Sequence, residues 1–359
     1  MIRSFVINFY LCKEFSKIVL TVSMVFFGLG LILNLFEEIN FFKDYEVGLY
    51  LPILLSFLYV PSLFYNMFPF IILLSGIWFF LNIKQTDEIT ALKISGMSNF
   101  SIIIVPSTLV IFLGIFYIIA INPVTSILVK KYENTKGSYE KDQDYLASIT
   151  INGIWMKEKN NIIRASKLDN NNLIDISIYE FDDDNNFTKR FEVKSANISS
   201  KYWILKNVKV IDSNGKTIQE GLSEVTYKSM YDINKIKSLY SNLDTVSFWD
   251  LKNEILLLEN RGYSTNEMRS KLQESIAFPF FLLSMILLSG VITLGFNLKN
   301  NSWNYVFIAV TTSVSIFYFN RFSAALGKTD KLPIEISVWM PIIIILMLST
   351  VGLIHANSK

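Results

Sequence analysis

Gly215-Lys216-Thr217 and Gly327-Lys328-Thr329 each end the way a phosphate-binding loop ends. Such a loop also needs a glycine five residues upstream, so that backbone amides can close round the phosphates. Val210 and Phe322 hold that position here. One segment falls in a hairpin and the other in a short connection between apolar runs, so neither reads as a nucleotide site. Asp182-Asp183-Asp184 offers the carboxylate oxygens that a hard cation takes. It sits in a turn, however, the ordinary place for solvated charge. The chain has one histidine, His355, and one cysteine, Cys12. A Ser-His-Asp relay, a His-based metal site and an internal disulfide are therefore excluded. No catalytic residue, metal or cofactor is expected, and the chain does not read as an enzyme acting alone.

The most informative polar segment is KQTDEITALKISGMS, residues 84–98. Thr86 is placed to cap a short helix, and Asp87 and Glu88 suit its electropositive start. Ile89 and Leu92 fall on one side, and Gly96 ends it. An amphipathic helix of this kind is either an interfacial connector or a docking element for a cytoplasmic partner, such as an ATPase that this chain lacks.

The elements around that segment are read from charge. Hydrophobic residues make up 51% of the chain and charged residues only 18%, against roughly 25% in soluble domains. The net charge of +2 implies no strongly acidic or basic partner. Charges avoid the windows 18–36, 47–83, 94–129, 275–298, 300–320 and 336–354. Each is long enough for a bilayer core, which needs roughly 20 apolar helical residues, so six membrane-spanning helices are expected. No small-x-small site follows the first run, which is therefore read as a span and not as a cleaved leader. With the N-terminus inside, cytoplasmic segments hold Arg3, Lys13, Lys17, Lys84, Lys93, Lys299 and Lys359, and short outer loops hold Lys43, Arg321, Lys328 and Lys331. That bias places both termini in the cytoplasm and the long polar middle outside.

Between spans three and four the apolar period changes to two. Residues 149–158, 161–168, 173–182, 187–199, 202–212 and 216–228 read as strands separated by Asn/Asp/Gly turns. Trp155, Tyr179 and Trp203 are assigned to packing. A helix follows, capped near Ser247 with Asp250 in its first turn. The expected divisions are 1–130 for spans one to three with the helix near 86–96, 138–232 for the β domain, and 245–359 for a linker helix and spans four to six.

Six spans, a β domain after the third, and the TDEITALKISGMS segment resemble the LptF/LptG permeases of lipopolysaccharide export. The resemblance extends over GIWMKEKNNIIRASKL (153–168), DISIYEFDDDNN (175–186) and VSFWDLKNEILLLENRGYS (246–264), where it is closer to LptG than to LptF. It implies an inner-membrane permease paired with an LptF-like chain and two copies of the ATPase LptB. It further implies a jellyroll domain that hands lipopolysaccharide to a bitopic LptC-like protein and a periplasmic bridge. Asp87, Glu88, Ile89 and Leu92 would then be the ATPase-coupling residues, with Glu88 at the family's acidic position. The family's basic residues at the outer end of span one are replaced by Asn34, Ile39 and Asn40, and one of the two after span three by Glu133. An anionic lipid head still needs cations at the rim of an apolar wall. Lys43, Lys130, Lys131 and Lys136 are the candidates, against the plainer reading of snorkelling lysines. A permease for another lipid or a lipoprotein, or a membrane scaffold presenting a β domain, are the other functions considered.

Overall fold

A computed structural model of the chain describes residues 2–86, 88–139, 147–150, 153–158, 160–169, 171–182, 186–200, 202–213, 215–229, 231, 242–259, 265–295, 302–329 and 331–357. The chain divides into two compact units. One comprises Met1–Thr135, Ser247–Trp249 and Asn266–Lys359, and the other Lys136–Val246 and Asp250–Thr265.

The charge-free windows become helices α1 (Ile2–Phe41), α2 (Tyr50–Gln85), α4 (Asn99–Phe116), α5 (Asn122–Gly137), α7 (Asn266–Gly290), α8 (Ser302–Lys328) and α9 (Ile334–Asn357). Two shorter helices are α3 (Glu88–Ile94) and α6 (Phe248–Glu259). A π-helical turn, Tyr117–Ile121, joins α4 to α5, and another, Val291–Gly295, extends α7. Among the described residues, five helical segments are long and apolar enough to cross a membrane: Val6–Asp44, Tyr50–Gln85, Phe100–Gly137, Asn266–Gly295 and Ile334–His355. The expected fifth span, α8, has the length. Its Asn304, Thr311, Thr312, Ser313, Ser315, Asn320 and Arg321 keep it outside that apolar class.

The helical unit is centred on α7. Gly114 on α4 lies so close that a Cβ there would stand 2.8 Å from Pro279 Cα, and a Cβ on Gly76 of α2 would stand 2.1 Å from Ser289 Oγ. Membrane helices associate through such close approach because lipid gives little hydrophobic drive between them. Beside these contacts Tyr65 stacks on Phe278, centroids 4.5 Å apart, and Tyr117 lies tilted against both. By contrast α1 packs only a stripe, Leu11, Phe15, Ile18, Val19 and Val22, spaced at helical period. Its apolar window is 17% buried, against 61% for α7. Most of α1 is therefore exposed.

In the second unit the alternating segments form β1 (Ala147–Thr150), β2 (Gly153–Glu158), β3 (Asn161–Asp169), β4 (Asn172–Phe181), β5 (Phe187–Asn197), β6 (Tyr202–Asp212) and β7 (Thr217–Lys228). The stretch 149–158, expected as one strand, is divided: β1 pairs antiparallel with β2, Thr150 opposite Gly153. All these strands make one antiparallel sheet in sequence order. The jellyroll expectation meets a meander here. A jellyroll's Greek keys would put non-consecutive strands side by side, and the described strands pair only with their neighbours in sequence.

The sheet nonetheless rolls. Its inward side chains include Ile163, Ile178, Trp203 and Leu205, all buried. The ladder register skips one rung along a line of Ser166, Asp175, Lys194, Asn207 and Ser223. Asp175 and Asn207 have φ of +49° and +55°, a region that Asp and Asn tolerate better than most residues. Across this line the buried positions step by three, Leu173 to Ile176, Val193 to Ala196 and Leu205 to Val208, so both sides keep their apolar faces inside. Side chains then tie the first strands to the last. Asn161 Nδ2 donates to Tyr227 Oη at 3.0 Å, Tyr231 Oη to the Lys157 carbonyl at 2.9 Å, and Ser229 Oγ to Glu158 at 2.9 Å. Trp203 Nε1 donates to the Tyr231 carbonyl at 2.7 Å. Burial pushes the Tyr227 phenol up to about 12, so it stays neutral in these bonds.

Candidate functional site: a docking helix and a charged rim

Helix α3 is held by its own ends and by one face. The amides of Gly96 and Met97 donate to the carbonyls of Lys93 (2.9 Å) and Leu92 (3.1 Å), closing its C-terminus. Leu92 is buried in the bundle core, and Ile89 and Met97 pack against that core. Thr90, Ala91, Lys93 and Ile94 point away, Ile94 being 83% exposed. Glu88 is half-buried, and its carboxylate accepts from Tyr10 Oη of α1 at 3.2 and 3.3 Å, long for such a bond.

Around α3 the structure alters one sequence expectation, the cap at Thr86. Thr86 does not cap α3: its hydroxyl donates at 2.9 Å to the Asn82 carbonyl and closes the end of α2 instead. Ile89 and Leu92 seat α3 on the bundle, Leu92 within its core and Ile89 packed against it. Asp87 lies outside the described residues.

The lysines sit near a polar knot that sequence reading missed. Glu38 of α1 is buried and accepts from Tyr132 Oη of α5 at 2.7 Å, and Tyr132 stacks on Tyr59 of α2 at 4.7 Å. Asn34 lies one turn before Glu38 and is also buried. Lys130 and Lys131 immediately precede Tyr132 and are exposed, and Lys43, in a short 3-10 turn after α1, is exposed too. The ends of α1, α2 and α5 thus bring these three cations to one end of the bundle. Lys136 is half-buried. Glu38 could have been found as an ionisable residue near the end of an apolar helix, a functional signal by default.

Helices of membrane length that leave most of α1 uncovered, a polar sheet domain placed in mid-chain, and a short helix seated on one end of the bundle describe a polytopic membrane subunit built to work beside other chains. Over residues 9–355 the chain matches the lipopolysaccharide export system permease LptF/LptG family, and it belongs to that family. No curated protein matches it. The family is the inner-membrane permease of the lipopolysaccharide-export ABC transporter, not itself catalytic, and works as a pair of permeases with an LptB ATPase dimer.

Proposed function

We propose that this chain is the LptG-type half of the permease pair, crossing the inner membrane six times with both termini in the cytoplasm and the rolled sheet in the periplasm. α8 is the more polar fifth span, with Ser313 turned into the bundle and Phe307, Tyr318 and Phe322 turned to lipid. The observation that carries the reading is α3. Its apolar side is spent on the bundle, so Glu88 and the outward Ala91 and Ile94 are what the helix offers to an ATPase. On this reading the rolled sheet receives the lipid as a jellyroll-type module and passes it to an LptC-like bitopic protein.

Thiol labelling tests the orientation. In a Cys12→Ser background, cysteines at Ser213 and Lys216 should react in intact spheroplasts with a membrane-impermeant maleimide, and one at Lys93 should react only after lysis. Labelling at position 93 in intact spheroplasts would sink the topology.

Lys43, Lys130, Lys131 and Lys136 are the proposed cations for lipopolysaccharide phosphates. A Lys130→Glu, Lys131→Glu double variant should lose at least severalfold of its photo-crosslinking to lipopolysaccharide at unchanged expression, because two attractions become repulsions. Unchanged crosslinking would assign these lysines to plain snorkelling.

A further inference from the structure

We infer that a cavity between α2, α7, α8 and α9 is a binding site for a single zwitterionic phospholipid, separate from the lysine rim. The cavity measures about 110 Å³. Its apolar wall includes Phe70, Phe278 and Ile342, and its polar residues include Asn66, Glu274, Ser313 and Arg321. A volume of this size takes part of one acyl chain; it is smaller than the ~150 Å³ that holds a benzene ring.

Depth places the charged groups at a headgroup layer. Asn66 on α2, Arg321 on α8 and Glu274 on α7 with its π-helical extension each lie about 30 Å from the far end of their helix, at 1.5 Å per residue. That is the thickness of a hydrocarbon core. Three helices running in both directions agree, so the polar rim lies at one interface and the apolar wall in the acyl layer beneath it. The inference rests on reading this unit as a membrane bundle.

The rim carries one charge of each sign, and among the described residues no ion pair joins them. Arg321 Nη2 donates to Asn66 Oδ1 at 3.1 Å, using one of five guanidinium donors. Glu274 Oε1 accepts from Ser270 Oγ at 3.0 Å, which fixes one oxygen and leaves the other for a cation. A phosphate at Arg321 and an ammonium at Glu274 match this rim, and a headgroup carrying only negative charge would meet the Glu274 carboxylate.

The second observation is Ser313. It is buried, it lines the cavity, and its Oγ has no hydrogen-bond partner. An unmet buried hydroxyl is costly, and a bound acceptor would relieve it. Arg321 folds back over Phe317, its Cζ 5.2 Å from the ring centroid. The guanidinium therefore sits about one helical turn, roughly 6 Å, above Ser313. Glycerophospholipids carry their ester carbonyls about that far below the phosphate, within reach of the hydroxyl.

The test uses the assembled complex in nanodiscs that have the same lipid in both leaflets, so inverted topology would not change the result. Phosphatidylethanolamine and phosphatidylglycerol bearing the same acyl-chain diazirine are compared, with crosslinks mapped by peptide mass spectrometry. Phosphatidylethanolamine should label α7 and α8 at the cavity severalfold more than phosphatidylglycerol. Glu274→Gln, which keeps the shape, should bring the two probes level. Arg321→Gln should lower both about tenfold, and Ser313→Ala should weaken both to a smaller degree. Equal labelling by both probes in the unaltered protein, or labelling unmoved by Glu274→Gln, overturns the inference even if Arg321→Gln fails to fold. Labelling of the cavity by diazirine-bearing lipopolysaccharide alone would also overturn it, giving the cavity to the cargo.

Discussion

Glu88→Lys is expected to strip the ATPase subunit from the complex or to leave it hydrolysing ATP without moving lipid. A carboxylate at the start of a docked helix can meet an Arg of the partner, and a partly buried charge-assisted contact contributes on the order of 1.5–3 kcal/mol. Losing it weakens binding by roughly tenfold or more, and reversing its sign adds repulsion. Two competing roles predict less. If Glu88 only complements the helix dipole, about 0.3–1 kcal/mol is at stake, and both Glu88→Gln and Glu88→Lys should assemble. If Glu88 serves to tether α3 to α1 through Tyr10, then Tyr10→Phe should reproduce the defect. That bond spans 3.2–3.3 Å, so Tyr10→Phe should cost little. Co-purification of the ATPase and lipid-stimulated hydrolysis separate the three. Normal assembly and transport with lysine at position 88 would end the coupling role.

Gly153→Val is expected to unfold the sheet domain while the helical unit stays assembled. Gly153 has φ +116°, and a Cβ there would stand 2.2 Å from the Ala165 carbonyl oxygen. The strain of such a backbone is about 1–3 kcal/mol. The clash cannot be relieved by a rotamer, because the obstacle is backbone in the adjoining strand and Ile154 pairs with Ala165 at that point. β2 must leave the ladder, and the interior it covers with Ile154 and Met156 opens. Gly221→Ala is the control: its φ is +81°, but nothing lies within 4 Å of the added carbon, so it should cost strain alone. Limited proteolysis of the full-length protein should cut Gly153→Val in residues 147–228 at least tenfold faster, and Gly221→Ala only a few times faster. Equal protection of all three proteins would refute this account of the hairpin.

The sequence disclosed the helices because lipid forbids unpaired charge, so a span shows as an absence that any reader can count. α8 was legible as a window, yet its Arg321 has meaning only beside Asn66, which is 255 positions away. The strands were legible by alternation. The line of missing rungs was not, because a three-residue step looks like noise in a period-two pattern until Asp175 and Asn207 are seen at positive φ. The short helix α3 was legible from the acids and the glycine at its two ends, but the core that its Leu92 enters was not. An amphipathic helix says that it has an apolar side, not which neighbour reaches that side first. Tyr10 and Glu88 left no signal, since nothing local links positions 78 apart.

The bare notches at Gly76 and Gly114 also set a timetable for synthesis. Each is filled by α7, through Ser289 and Pro279, and roughly 200 residues separate Gly76 from Ser289. A ribosome adding about 5–20 residues per second needs roughly 10–40 s to cross that distance. Until then α2 and α4 stand in the bilayer with their close-packing faces open to acyl chains, while the sheet domain is already complete. Nascent chains arrested before α7 should therefore carry a folded sheet and an unsealed bundle, which gives membrane quality control a window in which to act.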